Sequence, residues 1–192
     1  AEMAEGDPLN ILFVQRSPCM RNWKMARGLV KKGHTVKLAY MRRSLSDSYP
    51  MKDDIYTESI KINDYGQLWK LASEADIVHV HNEPDDLTVM LTEFCPDALI
   101  IHDTHDAIEL RQPDNPFLLT LAMMANRKSV ARVYTTPHQL AHAAKYAADM
   151  SKAIVLYNFA SEDDVPAEDE LLPKLSAKDG EFHIVYEGGI GT

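Results

Sequence analysis

The feature that most constrains this chain is a repeated alternation. Short apolar runs recur along it, and stretches with helical spacing or polar loops separate them. The runs are NILFVQ (10–15), HTVKLAY (34–40), YTESIKIN (56–63), DIVHVH (76–81), ALIIHD (98–103), RVYTT (132–136) and KAIVLYN (152–158). Between them, 20–33, 65–75, 86–95 and 117–130 carry helix-like patterns, and Pro137 opens another helix at its first turn. Gly33 is a natural stop for the first of these helices. Segment 41–55 is polar and turn-like. Strands that are apolar on both faces and separated by helices demand a parallel sheet covered on both sides. The expected fold is therefore α/β, a Rossmann-like doubly wound parallel sheet.

Composition narrows the function. The chain has 192 residues, 45% of them hydrophobic, enough for a real core. Its formal net charge is −9, which argues against a general phosphate-backbone binder and so against nucleic acid as a partner. The one basic patch runs from Arg16 to Arg27, with Lys31 and Lys32 beyond it. Cys19 and Cys95 match no metal or redox spacing and fit a reduced, cytoplasmic setting. The first ten residues have no signal pattern. No apolar run approaches the roughly 20 residues that span a bilayer.

After residue 160 the character changes. SEDDVPAEDELLPKLSAKDG (161–180) is acidic and contains two prolines, as a linker or a short surface helix would. EFHIVYEGGIGT (181–192) then has the pattern of a strand entering a glycine-rich turn. That is the opening of a second βα unit, so the expected organisation is a domain over 1–160, a linker over 161–180 and the start of a truncated domain over 181–192. The alternative is that 182–187 completes the first sheet.

In open α/β sheets, ligands bind outside the carboxyl ends of the strands, where the strand order reverses. The loops expected there are 15–22, 81–86 and 103–110. His81 and His105 fall at strand ends, within reach of a ligand, whereas His79 and His102 lie inside strands and are expected to be core histidines bonded to neighbours. His105 is flanked by Asp103, Asp106 and Glu109, which can orient its ring, so it is the candidate base or polar clamp. A metal centre built on His79, His81, His105 and Asp103 or Asp106 is the competing reading, with an HxH pair as its signal. The first loop lacks GxGxxG, which removes a dinucleotide fingerprint. Arg21 stands at a helix start, where a phosphate or carboxylate can bind. Thr135 and Thr136 end a strand and border the same cleft. His138 and His142 share a helix face and are expected to be exposed.

The order of these motifs resembles the N-terminal domain of GT-B-fold, family-four retaining glycosyltransferases. GLVKKGHTVKLAY is similar to that family's GHxV strand, ADIVHVHN to its DxVHxH strand, and LIIHDTHDAIEL to its xxYDxHE strand and turn. KAIVLYNFASEDDV is similar to xxVIPNGVD, and FHIVYEGGIG to the opening of the nucleotide-sugar domain. The resemblance covers nearly the whole chain. It implies one half of a GT-B fold: an acceptor-side domain serving a hexosyltransferase that works with retention and without a metal. Its partners would be a nucleotide-sugar co-substrate, an acceptor and a C-terminal domain of the same protein, with no cofactor. The family's cleft histidine maps to His105. Arg21, Asn22, His81, Asn82, Asp103, Asp106 and Thr136 map to the acceptor side, and Gly188 and Gly189 to the donor side. The family's Gly-Gly in the first loop is absent, with Arg21 and Asn22 instead, and its PNG is Tyr157–Phe159. Because the family's paired glutamates would lie beyond Thr192, the fragment is expected to be inactive alone. The other readings left open are a metal-dependent hydrolase on His79, His81 and His105, and a non-catalytic α/β binding module.

Overall fold

The computed structural model describes residues 6–48, 53–82, 85–147, 149–158, 167, 173–174 and 176–184. By internal contacts the chain divides into Ala1–Asn158 and Phe159–Thr192. In the first unit the elements run β1 (Asn10–Gln15), α1 (Met20–Lys31), β2 (Thr35–Tyr40), α2 (Leu45–Ser48), a 3-10 turn (Asp53–Ile55), β3 (Glu58–Lys61), α3 (Tyr65–Glu74) and β4 (Ile77–His81). They continue with α4 (Asp86–Phe94), β5 (Ile100–Thr104), α5 (Ile108–Arg111), α6 (Pro116–Lys128), β6 (Ala131–Tyr134), α7 (Pro137–Ala143) and β7 (Ala153–Val155). All seven expected strands are present.

The strands form one sheet in the order β3-β2-β1-β4-β5-β6-β7, and every pairing is parallel. The order reverses between β1 and β4, the expected crevice. Alternation along β1 sorts the core onto two faces. Leu12 and Val14 pack with Val78 and Val80 of β4, Leu68 and Ala72 of α3, and Leu87 and Leu91 of α4. Ile11 and Phe13 pack on the opposite face with Val36, Leu38 and Ala26 of α1. Residues 11–15 are consequently all buried, which is why this strand is a continuous apolar run rather than an alternating one. This is a doubly wound, Rossmann-like α/β fold.

Local chemistry sets the element ends. Gly33 adopts φ +90° and donates to the Val30 carbonyl, closing α1 in a conformation that a Cβ disfavours. Asp64 caps α3 by accepting from the Gln67 N–H, and Thr136 caps α7 by accepting from Gln139 N–H. Several features differ from the sequence expectation. Segment 41–55 contains α2 and the 3-10 turn, and α5 interrupts what reads as loop. These elements have four residues or fewer, too short for periodicity to register. The third strand shrinks to Glu58–Lys61.

In the second unit, α8 (Ser176–Asp179) is a single turn. Residues 181–184 form no strand, and Phe182 and Ile184 are 88% and 86% exposed. A strand-like sequence needs a ladder partner, and none pairs with it among the described residues. Residues 185–192, including Gly188 and Gly189, lie outside the described residues. Within the described residues, no helix is long and apolar enough to cross a membrane.

Candidate functional site

The site grows from strand register. β4 and β5 pair so that His81 stands beside Asp103 and His79 beside Ile101. Side chains two apart share a face, so His79, His81 and Asp103 all point to the face that carries α1. Phe13 of β1 supports both rings, at 5.0 Å from His79 and 5.1 Å from His81, and the two imidazoles stack at 4.7 Å. His102 points the other way. Its Nδ1 lies 2.8 Å from Thr88 Oγ1 of α4, and its Nε2 lies 3.3 Å from Asp85.

Asp103 is the hub. Its side chain is fully buried, yet it carries a charge. Arg21 meets it side-on, with Nε 3.3 Å from Oδ2 and Nη2 3.3 Å from Oδ1. His79 donates from Nε2 to Oδ2 at 3.0 Å, because an ionised carboxylate only accepts. His81 Nδ1 lies 3.6 Å from Oδ2, and His105 Nε2 lies 3.8 Å from Oδ1. Burial by itself would raise the Asp103 carboxyl. The His79 hydrogen bond and the facing rings of His81, His79 and His105 outweigh it and hold the carboxyl well below the ordinary range.

The rings beyond it are neutral. Burial drives His81 well below an ordinary histidine, and His79 pushes the same way. Burial brings His105 down to about 4, against the opposing pull of Asp103. His105 Nε2 sits 2.9 Å from His81 Nδ1, and its Nδ1 lies 3.6 Å from Cys19 Sγ at the start of α1. Burial also raises the Cys19 thiol, so the sulfur is not a thiolate nucleophile at neutral pH. The His105 side chain is 13% exposed, the most accessible of the rings around Asp103.

The backbone at His105 is held from both sides. Asn82, itself buried, accepts from the His105 N–H at 2.8 Å and donates to the Asp106 carbonyl at 2.7 Å. Gln139 of α7 donates to the His105 carbonyl at 2.7 Å, and Thr135 donates to it at 3.2 Å. Glu109 of α5 accepts from Tyr146 and lies 3.1 Å from His142 Nε2, tying the short helix to the α7 region.

The structure thus brings Arg21, His81, Asn82, Asp103 and His105 together, with His79 joining them. Arg21 does not present its guanidinium to the cleft. Its remaining nitrogen, Nη1, donates to the Leu156 carbonyl at 2.7 Å and to Asn158 Oδ1 at 2.9 Å. Asn22 is fully buried, donating to Gln15 and accepting from the Tyr56 hydroxyl at 2.7 Å. The Asp106 carboxylate pairs with Arg111 on the surface, and Thr136 serves as the cap of α7. Gln139, Tyr56 and Asn158 escape sequence reading. Their partners lie 34, 34 and 137 residues away, and no local spacing signals them.

No family model matches this chain, and no curated protein matches it. Solved structures do. HepE of Anabaena in complex with UDP-glucose aligns with a TM-score of 0.59 at 12% identity, over 78% of this chain and 44% of that one. The same protein with UDP and glucose gives 0.57 at 14% identity over the same shares. An alpha-glucosyltransferase in complex with UDP-glucose and DNA containing an abasic site gives 0.52 at 17% identity, over 79% of this chain and 42% of that one. The chain therefore spans less than half the length of these neighbours, and what it shares with them is the α/β fold.

Proposed function

We propose that this chain is the acceptor-side half of a GT-B glycosyltransferase that moves a sugar from a nucleotide-sugar donor to an acceptor, with retention and without a metal. The observation that carries the reading is the Asp103-centred network. It lies at the carboxyl ends of β4 and β5, beside the reversal at β1, where an α/β sheet binds its ligands. The solved structures that share the fold hold UDP-glucose or UDP with glucose, which supports the same ligand class here.

In this reading His105 is the group that touches the reacting sugar or phosphate. Asp106 and Thr136 border the cleft, Arg21, His81, Asn82 and Asp103 act through His105 and its loop, and Asn22 braces the end of β1 through Gln15. Gly188 and Gly189 begin the donor side. A nucleotide-sugar domain completes the cleft. The test is sugar transfer by the protein that carries this chain together with such a domain, supplied with UDP-glucose and other nucleotide sugars. His105→Ala is expected to lower kcat/KM by about 10²-fold or more, the scale of a lost donor or acid–base group. Unchanged turnover in that variant, or no transfer from any nucleotide sugar by the parent, rejects the reading.

One observation favours a second reading. Ligand atoms of His79, His81 and Asp103 lie within 4.8 Å of one another, close enough to hold an ion. Arg21 argues against it, because a buried guanidinium already faces the carboxylate and would stand beside the incoming cation. Elemental analysis of the purified protein separates the two. Stoichiometric zinc or manganese would favour the metal-dependent hydrolase.

A further inference from the structure

His105 has two nitrogens, and the chemistry it can perform depends on which one carries the proton. Nε2 faces inward to His81, and Nδ1 faces Cys19 at the start of α1. The close contact of 2.9 Å between His81 Nδ1 and His105 Nε2 needs one proton between two neutral rings. Either His81 donates, leaving His105 with its proton on Nδ1, or His105 donates from Nε2 and turns a bare Nδ1 outward.

Two observations decide between them. His81 Nδ1 is the nitrogen closer to the ionised Asp103, at 3.6 Å against 3.8 Å for His105 Nε2, so the carboxylate slightly favours a proton there. The second concerns the far side of the His81 ring. His81 Nε2 is buried and has no hydrogen-bond partner among the described residues. If His81 donates from Nδ1, the orphan is a lone pair. If His105 donates instead, the orphan is an N–H, the rarer and costlier case. The opposing consideration is the Cys19 thiol, which would offer its S–H to a bare His105 Nδ1. That is a weak donor, and sulfur already receives Gln15 Nε2 at 3.5 Å.

We propose that His81 is a positioning residue that fixes the proton of His105 on Nδ1, so that His105 offers the cleft an N–H donor and not a base. The ligand atom it meets is then an oxygen acceptor, a hydroxyl or phosphoryl oxygen, which displaces Cys19 Sγ as its partner. Other charged or titratable groups facing the His105 ring are Asp103, Asp106, Arg21 and His79. Of these, Asp103 comes to 3.8 Å of His105 Nε2, whereas His81 Nδ1 comes to 2.9 Å. The idea rests on the reading of His105 as the ligand-facing group, but it is measured without substrate.

The experiment is long-range ¹H–¹⁵N correlation spectroscopy of the histidine rings in this chain at pH 7, with His105 assigned by its loss in His105→Gln. The expected spectrum shows His105 protonated on Nδ1 and bare on Nε2. Protonation on Nε2 in the wild type overturns the proposal. His81→Asn keeps an N–H donor near the place of Nδ1 and should keep the tautomer. His81→Leu removes the donor, and the His105 proton should then move to Nε2, facing Asp103. An unchanged tautomer in His81→Leu overturns the proposal too. If His81→Leu does not fold, the wild-type spectrum still decides. A correct tautomer in a protein that transfers no sugar would leave the proposal standing and reject the glycosyltransferase reading alone.

Discussion

Asp103→Asn isolates the centre of the site. The substitution keeps the shape and one acceptor oxygen but removes the negative charge. Arg21 then remains buried with its Nε and one Nη facing an amide, while its other Nη still holds Leu156 and Asn158. The amide NH2 must also face either the guanidinium or His79 Nε2–H, so one donor meets another whichever way the side chain turns. Removing one partner of a buried pair costs about 3–5 kcal/mol, because the other charge stays without compensation. The lower half of that range fits here, since both Arg21 contacts are 3.3 Å long and the backbone carbonyl of Leu156 still accepts. Urea unfolding followed by the fluorescence of Trp23 and Trp69 measures it. With a slope of about 2 kcal/mol/M, a loss of about 3 kcal/mol lowers the midpoint by roughly 1.5 M. A shift under about 0.5 M would mean that Arg21 and Asp103 are not a tightly coupled buried pair, and the account of the hub would fail. Arg21→Lys supplies the converse. It keeps a charge but cannot meet the carboxylate side-on and reach residues 156 and 158 together, so it should cost less than Asp103→Asn and more than a surface change.

Acid should destabilise the fold in two stages. His105 falls from 6.5 to about 4 on folding, so the unfolded chain binds a proton that the native chain refuses, and stability drops as pH falls from about 6.5 toward 4, by up to about 3 kcal/mol from this ring. His81 is lowered in the same direction and adds to the slope. Asp103 is lowered in the native state, so its contribution is intact above the ordinary carboxylate range and is lost only below about pH 4. Urea midpoints measured from pH 7 to pH 3.5 should show this, with a shallower fall above pH 4 in His105→Gln; equal slopes would contradict it. Gln139→Ala removes the donor to the His105 carbonyl and the acceptor of the Thr135 N–H, and should cost about 1–3 kcal/mol in the same assay. No loss would mean that the loop is held by Asn82 and Thr135 alone.

Much of this arrangement was legible in the sequence. Seven apolar runs separated by helical stretches called for a covered parallel sheet, and the sheet placed its reversal between β1 and β4. The fold rule then pointed to the ends of β4 and β5, and to His81 and His105. Those inferences need only periodicity and topology. Elements shorter than a full helical repeat, such as α2 and α5, give no periodic signal and were illegible for that reason.

The site's wiring was less legible, because it depends on register and on long reach. His79 and His102 look alike in sequence: each is an in-strand histidine with apolar neighbours. Parity within a strand relates His79 to His81, but nothing local says that Asp103, rather than His102, shares their face. That follows only when β5 pairs with β4 in the observed register, with Asp103 opposite His81. A slip of one residue would bring His102 to the α1 face and send Asp103 to Thr88. The same holds for Arg21. At a helix start it has the signature of an anion site, and an anion is what it binds, but the anion is a carboxylate of the protein 82 residues away. A local motif specifies the kind of partner an arginine needs. Whether that partner is a ligand or the fold itself is decided by which strand end the sheet brings against it, and here β5 arrives first.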